Sequence, residues 1–225
     1  MYLQITTKCN MKCGHCCYSC NRNGKHGDYH FMLKALDFIS DYADILAIGG
    51  GEPTLHPRFF DILRYALARF DSVWMATNGS RLKSMQRLYN IITQDDWCDT
   101  SIFQEDRLTV ALSQDPFHSP IDSWVKNTWQ RNRSSPGFEI RDVTQSRSGI
   151  IAQGRAKRTG SGWNTDDCVC ADHIIKPDGQ IRLCGCIDAP VIGTIWDGIQ
   201  EEWTALIDAE NFHDHGCYKQ LKKVA

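Results

Sequence analysis

The sequence lacks the features of a membrane-bound or exported chain. No apolar run approaches the roughly 18 residues that a membrane-spanning helix needs. Residues 1–8 have the pattern of a short β-strand and contain no signal-peptide core. Internal repeats and low-complexity segments are also absent from the sequence. We therefore expect a cytoplasmic protein with no membrane partner.

The chain also has no large excess of charge of either sign. The chain has 25 basic and 27 acidic side chains, a net charge of −2, and 42% of its residues are apolar. This composition excludes an intrinsically disordered chain, which has too few apolar side chains to offset the entropy of ordering. A length of 225 residues suits one domain, or one domain with a small appendage.

Cysteine, in contrast, is abundant. The sequence contains 11 cysteines, an odd number in a chain without an export signal. A reducing compartment argues against a framework of disulfides. Closely spaced thiolates in such a protein more often bind a metal ion or an iron–sulfur cluster.

Strand-like and helix-like segments alternate along the first half of the chain. The β-prone runs are residues 2–7, 44–48, 72–77 and 108–113, and helices are predicted from Phe31, His56-Pro57, Ser80 and Ser119-Pro120. This alternation predicts an α/β fold with a parallel sheet, whose functional residues lie at the carboxyl ends of the strands. Further strands are predicted at residues 138–143 and 149–153, without a full helix between them. A loop at residues 159–162 suggests a boundary between units 1–158 and 159–225.

The first cysteine motif follows the first predicted strand directly. Cys9, Cys13 and Cys16 form a C-x3-C-x2-C pattern, which a loop can fold around one inorganic centre. Three thiolates leave one iron of a cubane cluster without a protein ligand, and such an iron can bind a cofactor or substrate. Chance spacing in a cysteine-rich chain is the alternative interpretation.

A second motif follows the second predicted strand. Gly50, Gly51, Glu52 and Pro53 combine glycines, which allow close backbone approach to a ligand, with a carboxylate that can accept hydrogen bonds from an ammonium group. C-x3-C-x2-C after a first strand and GGEP after a second resemble the radical S-adenosylmethionine (radical SAM) superfamily. Thr77-Asn78-Gly79 after the third strand is also common in that superfamily.

The resemblance covers roughly residues 1–158 and implies a partial (β/α)6 TIM-like barrel. It implies that Cys9, Cys13 and Cys16 hold a catalytic [4Fe–4S] cluster with an open iron. That iron would bind the methionine end of S-adenosylmethionine (SAM), and Gly50, Gly51 and Glu52 would hold its ammonium group. Other cofactor contacts are predicted at Asn78, at Ser113 or Asp115 for the ribose, and at His15 and Arg155. One electron, from a donor such as flavodoxin or ferredoxin, would cleave SAM to methionine and a 5′-deoxyadenosyl radical.

The cysteine loop departs from the usual family pattern in two respects. His15 stands where the family usually has an aromatic residue that packs on adenine, and an imidazole ring can stack in the same way. Cys17 and Cys20 are additional cysteines, for which burial in the loop is favoured over a role in substrate binding. Neither these two cysteines nor Cys98 is assigned a function.

Five cysteines lie beyond residue 159. A hairpin is predicted around the turn Pro177-Asp178-Gly179, followed later by a helix, and it brings two C-x-C pairs near one another. The pattern resembles a shortened SPASM or twitch extension, which implies a second, auxiliary [4Fe–4S] cluster. Structural zinc is the competing interpretation. The candidate ligands are Cys168, Cys170, Cys184, Cys186 and Cys217, of which the pattern does not select four.

Residues 126–158 contain eight basic and only two acidic side chains, a local charge of +6. A solvated face, with one or two arginines at the cofactor, is favoured over an interface for a phosphate-bearing or nucleic-acid substrate. The sequence thus predicts a radical SAM enzyme whose substrate, a peptide, small molecule or nucleotide, is unidentified. The alternatives are an enzyme acting on a modified thymidine in phage-type DNA hypermodification and a zinc-binding, cysteine-rich interaction module.

Overall fold

The computed structural model describes residues 1–93, 107–145, 150, 152–162 and 173–201. The strands are β1 (Tyr2–Thr6), β2 (Ile45–Gly50), β3 (Ser72–Thr77), β4 (Leu108–Ser113), β5 (Phe138–Arg141), β6 (Ile174–Ile175), β7 (Gln180–Arg182), β8 (Val191–Thr194) and β9 (Gly198–Ile199). The α-helices are α1 (Tyr29–Ser40), α2 (Phe59–Leu67), α3 (Leu82–Ile92), α4 (Ser123–Asn132) and α5 (Gly154–Thr159). In these described segments no helix has the length and apolar character needed to cross a membrane.

A single mixed sheet organises the described part of the chain. Its strand order is β5-β4-β3-β2-β1-β6-β7-β8-β9, and β1 to β5 are all parallel to their neighbours. This arrangement confirms the predicted α/β fold, a partial barrel with a C-terminal hairpin extension. The short β6 pairs in parallel with β1, so the extension continues the same sheet on the side of β1 away from β2.

The core lies between the sheet and the helices that cross over it. The predicted stripe of α1 is confirmed, since Met32, Ala35, Leu36 and Ile39 are all buried. They join the inward side chains of the strands, such as Leu3 and Ile48, in one hydrophobic cluster. On α4, the buried Trp129 also donates a hydrogen bond from Nε1 to the Val110 carbonyl at 3.0 Å, which fixes this helix against β4.

Three helices begin later than the sequence predicts, and helix α3 begins at Leu82 with Arg81, not Ser80, at its N-cap. Helix α2 begins at Phe59 rather than at Pro57, after a 3-10 turn at Pro53–Leu55. Helix α4 begins at Ser123 and not at Ser119-Pro120, because the Asp122 side chain accepts the Trp124 amide and caps it. These differences change the boundaries and leave the order of elements intact.

The predicted sixth barrel strand at residues 149–153 is not formed by the residues described there. Residues 150, 152 and 153 belong to no strand, and residues 149 and 151 lie outside the described part of the chain. Helix α5 starts immediately afterwards, and its first turn packs on the loop that follows β1. Helix α5 therefore covers the loop that follows β1. As predicted, no full helix separates residues 149–153 from β5 among the residues that the structure describes.

The predicted C-terminal hairpin is confirmed. Strands β6 and β7 are antiparallel, with Ile174 opposite Arg182, and Gly179 in the turn has a φ of +83°. The helix predicted after residue 196 falls beyond the described residues, apart from Glu201. The boundary near residue 159 stays a prediction.

Candidate active site

A cavity of about 240 Å³ opens at the carboxyl ends of the parallel strands. This is where a sheet of this kind places functional residues, because the loops after each strand meet there. The cavity is lined by Tyr2, Cys9, Cys13, His15, Cys16, Cys17, Tyr18, Cys20, Gly49, Gly50, Gly51, Ala76, Thr77, Asn78, Ser113, Asp115, His118, Arg141, Val143 and Ile150. It therefore brings together nine of the eleven residues predicted to hold the first cluster and its cofactor.

The three cysteines of the first motif all reach this cavity. They lie on the loop after β1, which we call the cysteine loop (residues 9–20). The loop is closed by a hydrogen bond from the Cys9 amide to the Asn21 carbonyl (2.8 Å). Burial raises the pKa of the Cys9 thiol to about 11 in the metal-free chain. Iron would displace that proton on binding, and a set of three converging thiols fits an iron–sulfur cluster.

The glycines of the second motif are required by the packing of the chain itself. A Cβ atom on Gly50 would lie 2.3 Å from the Thr6 carbonyl oxygen, and one on Gly51 would lie 2.3 Å from the Lys8 carbonyl oxygen. The loop after β2 therefore packs against the start of the cysteine loop at backbone distance. This places the Gly50 and Gly51 backbones in the cavity wall beside the cysteines.

Glu52 lies outside the cavity wall and is fully buried. Its Oε1 accepts hydrogen bonds from the Thr54 amide (3.1 Å), the Thr54 hydroxyl (2.5 Å) and the Thr77 hydroxyl (2.8 Å). Its Oε2 accepts the Asn78 amide at 2.7 Å. Four donors thus converge on this carboxylate, three on Oε1 and one on Oε2.

The predicted contact between the Glu52 carboxylate and a cofactor ammonium group stays a prediction. The side chain ties the end of β3 to the turn after β2. Burial raises the pKa of Glu52, and the four hydrogen bonds oppose that shift by favouring its ionised form.

Asn78 contacts a predicted cluster ligand. Its Nδ2 lies 3.1 Å from the Asn10 side-chain oxygen and 3.9 Å from Cys9 Sγ. Its Oδ1 accepts the Ser80 amide at 3.0 Å. The Asn78 amide is therefore committed to the cysteine loop and to the turn after β3, while Ser113 lines the cavity at the end of β4.

Asp115 and His118 form an ion pair in the cavity wall. Asp115 Oδ1 accepts from His118 Nδ1 at 2.8 Å and from the Phe117 amide at 3.0 Å. Burial opposes the ionisation of both groups. Their mutual attraction outweighs it, lowering the pKa of Asp115 and raising that of His118 to about 9, with help from the Cys13 side chain. Asp115 Oδ2 accepts no hydrogen bond from the described residues, so it remains available to a ligand.

His15 presents a flat, neutral ring to the cavity. Its ring lies 4.8 Å from that of Phe117 and 5.2 Å from that of His118, centroid to centroid. Burial lowers the pKa of His15, and its Nδ1 is buried without a hydrogen-bond partner in the described structure. The sequence analysis missed His118 and Phe117, although they lie in the same short loop as Asp115.

Arg155 lies against the cysteine loop. It does not line the cavity, and its guanidinium donates to the Cys13 carbonyl at 2.8 Å and the Cys20 carbonyl at 2.5 Å. Its predicted contact to the cofactor stays a prediction. Arg141, another member of the basic stretch, lines the cavity at the end of β5. These two arginines show that the stretch is not one continuous solvated face.

Of the second group of cysteines, the structure describes Cys184 and Cys186. Both are buried, and both pack into the main hydrophobic core that includes Ile181 and Ile192. The loop carrying them is attached to residue Gln153, whose Oε1 accepts the Ile187 amide at 2.7 Å. Cys98, Cys168, Cys170 and Cys217 lie outside the described residues.

Comparison with known protein families finds a match to part of this chain. The family model described as the radical SAM superfamily matches residues 3–99, which include the cysteine motif, the GGEP motif and β3. The cysteine and GGEP motifs of this segment are therefore similar to those of the radical SAM superfamily. The matched segment contains the cysteine loop and the turns after β2 and β3, which form one side of the cavity.

Curated relatives match about a third of this chain. The chain is 37% identical over 87 residues to the tungsten-containing aldehyde ferredoxin oxidoreductase cofactor-modifying protein of Pyrococcus furiosus, an alignment covering 36% of this chain and 24% of that protein. It is 33% identical over 84 residues to the mycofactocin maturase MftC of Mycobacterium tuberculosis, covering 35% of this chain and 21% of that protein. The aligned region thus spans under a quarter of these relatives' lengths.

A solved structure resembles the fold over nearly all of this chain. The crystal structure of BtrN in complex with AdoMet and 2-DOIA superposes with a TM-score of 0.59, over 95% of this chain and 83% of that one. Sequence identity is 14%, so the likeness concerns the fold alone. It extends beyond residue 99, where the family model ends.

Proposed function

We propose that this protein is a radical SAM enzyme. The observation that carries the proposal is the convergence of Cys9, Cys13 and Cys16 on one cavity at the carboxyl ends of the strands. Three thiols at this position fit a [4Fe–4S] cluster with one iron left for a ligand. When bound, the cluster supplies the electron that cleaves SAM to methionine and a 5′-deoxyadenosyl radical, which abstracts hydrogen from the substrate.

The chain's own residues bind and orient the cofactor. The backbone of Gly50 and Gly51 forms the wall next to the three cysteines and is the candidate partner of the methionine end of SAM. The ring of His15, which is tilted by 47° against that of Phe117, is the candidate platform for adenine. Asp115 Oδ2 and the Ser113 hydroxyl, both at the end of β4, are the candidate partners of the ribose.

The decisive experiment pairs two neighbouring cysteines after anaerobic reconstitution with iron and sulfide. We expect Cys13→Ala to lose about four irons and four sulfides per chain relative to the wild type, the content of one cubane. It should also lose the reductive cleavage of SAM to 5′-deoxyadenosine. Cys17→Ala is the matched control, because Cys17 lines the same cavity outside the motif and should retain both the iron and the cleavage.

Other outcomes would overturn this proposal. A wild-type chain that takes up zinc without sulfide and does not bind SAM would indicate the zinc-binding interaction module. Equal loss of iron in the Cys13 and Cys17 variants would show that the motif does not define the site.

We further propose an auxiliary cluster in the C-terminal region, held by four of the five cysteines Cys168, Cys170, Cys184, Cys186 and Cys217. The burial of Cys184 and Cys186 supports this, because it shields their thiols from solvent. About eight irons per wild-type chain, falling to about four in Cys184→Ala, are expected for two cubanes. About four irons in both proteins, or zinc lost by the variant, would contradict it.

The substrate is proposed to enter beside Tyr2, Tyr18 and Arg141, which also line the cavity. The reductant is proposed to be a small electron-transfer protein such as flavodoxin or ferredoxin. The test is single-turnover reduction of the cluster under anaerobic conditions by reduced flavodoxin and, separately, by reduced ferredoxin. If neither protein reduces the cluster while dithionite does, this partner is contradicted.

A further inference from the structure

Helix α5 packs on the cysteine loop, although more than 130 residues separate them in sequence. The Arg155 amide donates to the Cys16 carbonyl at 3.0 Å, and the Thr159 hydroxyl donates to the Gly14 carbonyl at 3.0 Å. Gly154, at the start of the helix, has a φ of +53°, and a Cβ on it would lie 2.0 Å from the Cys17 carbonyl oxygen. A glycine is therefore needed for the helix to approach the loop this closely.

The Arg155 side chain holds two points of the same loop. Its Nη1 donates to the Cys13 carbonyl at 2.8 Å and its Nη2 to the Cys20 carbonyl at 2.5 Å, with the residue 7% exposed. No carboxylate of the described residues forms an ion pair with it. Since a guanidinium stays protonated in proteins, a fixed and unneutralised positive charge lies against the loop.

We propose that Arg155 is a positioning residue for the iron–sulfur cluster that also raises its reduction potential. This inference rests on the proposed function. The two carbonyl contacts fix the backbone on either side of Cys16 and so fix the directions of the thiolates. Reduction adds one negative charge to a cluster that already carries three thiolates, and a nearby cation stabilises the reduced state. Outer hydrogen-bond partners of metal ligands act in the same two ways.

The test uses four variants of the full chain after anaerobic reconstitution. Arg155→Gln removes the charge and one of the two donors, whereas Arg155→Lys keeps the charge and loses the two-pronged geometry. Arg158→Gln is the matched control, because this exposed neighbour reaches the loop only through Ser19 Oγ at 3.3 Å in the described structure. Gly154→Ala pushes the helix away from the loop and leaves Arg155 in the sequence. The readouts are the midpoint potential, followed by electron paramagnetic resonance, and the release of iron to a chelator.

We expect Arg155→Gln to have a more negative midpoint potential than the wild type. Its iron should be released at about tenfold lower chelator concentration, the lower end of the effect of outer partners. Arg155→Lys should keep most of the potential and lose iron as readily as the glutamine variant. Arg158→Gln should match the wild type in both measurements, and Gly154→Ala should behave as Arg155→Gln.

An unchanged potential and unchanged iron release in both Arg155 variants would overturn the inference. If Arg155→Gln does not fold, as judged by circular dichroism, Arg155→Lys and Gly154→Ala decide by the same two readouts. A wild-type chain that takes up no iron would overturn the proposed function together with the inference. If the wild type takes up iron and the variants equal it in midpoint potential and iron release, the role of Arg155 alone is overturned.

Discussion

The two cysteine-bearing regions differ in what surrounds their thiols. In the cysteine loop, Cys9, Cys13 and Cys16 line a cavity and are surrounded by polar groups such as the Asn78 amide. In the C-terminal hairpin region, Cys184 and Cys186 are packed into the main hydrophobic core. Both regions are attached to one sheet, through β1 and β7.

This difference concerns the surroundings of the described thiols. Cys184 and Cys186 have apolar neighbours, whereas Cys9, Cys13 and Cys16 have open volume beside them. The cysteine loop is anchored by Asn78 and Arg155, and Glu52 in turn holds Asn78. We therefore expect the cysteine loop to depend on its ligand and on these anchors more than the hairpin does.

Removal of iron should produce the largest contrast. Without the cluster, we expect the amides of residues 9–20 to exchange hydrogen at least about tenfold faster, because the loop has few strand hydrogen bonds. The amides of β7, held in the sheet by β6 and β8, should change much less. Hydrogen exchange of the reconstituted and metal-free protein, read by mass spectrometry, checks this. Equal acceleration in both regions would abolish the contrast.

Glu52→Gln should destabilise the side of the sheet that holds the cysteine loop. The amide of glutamine would present a donor to groups that are themselves donors, and a buried mismatch of this kind costs about 2 kcal/mol. The free energy of unfolding of the metal-free protein, from urea denaturation, is the measurement. Glu139→Gln is the control with a smaller expected loss, because Glu139 accepts one bond, from Trp74 Nε1 at 2.7 Å, and is only half-buried. Equal losses would mean that the four bonds to Glu52 have no special weight.

Asp115→Asn should weaken SAM binding about tenfold, an effect of roughly 1.4 kcal/mol. The variant loses the ionised carboxylate, whose Oδ1 pairs with His118 and whose Oδ2 is available to a ligand. Isothermal titration of the reconstituted protein with SAM gives the affinity. Asp122→Asn is the matched control, because asparagine caps a helix as well as aspartate does and Asp122 caps α4 outside the cavity. Unchanged affinity in Asp115→Asn would remove this residue from the cofactor site.

The motifs of the sequence predict the location of the site better than the roles of its side chains. Cys9, Cys13 and Cys16 after one strand, and Gly50 and Gly51 after the next, could be placed together because parallel strands end at a common edge. The functions of Glu52 and Arg155 could not be derived in this way. Whether a carboxylate or guanidinium faces a cavity or the chain depends on donors and carbonyls distant in sequence, such as Asn78 for Glu52 and Cys20 for Arg155.

The fold shows the same division between local and distant causes. Helix α1 and the hairpin turn at Gly179 follow from periodicity and turn chemistry, and both are confirmed. The expected strand at residues 149–153 is not formed by the described residues 150, 152 and 153, and helix α5, which follows directly, packs on the cysteine loop. Only tertiary structure identifies that contact.

Gly160→Ala should have the smallest effect and separates the two ends of α5. Gly160 ends the helix with a φ of +67°, but a Cβ there would meet no atom within 4 Å, whereas one on Gly154 would collide with the cysteine loop. We expect Gly160→Ala to cost about 1 kcal/mol of unfolding free energy, the penalty for alanine in a left-handed conformation. Its iron content and potential should equal those of the wild type, measured beside Gly154→Ala. Loss of iron in Gly160→Ala would show that the C-terminal end of α5 also positions the cluster.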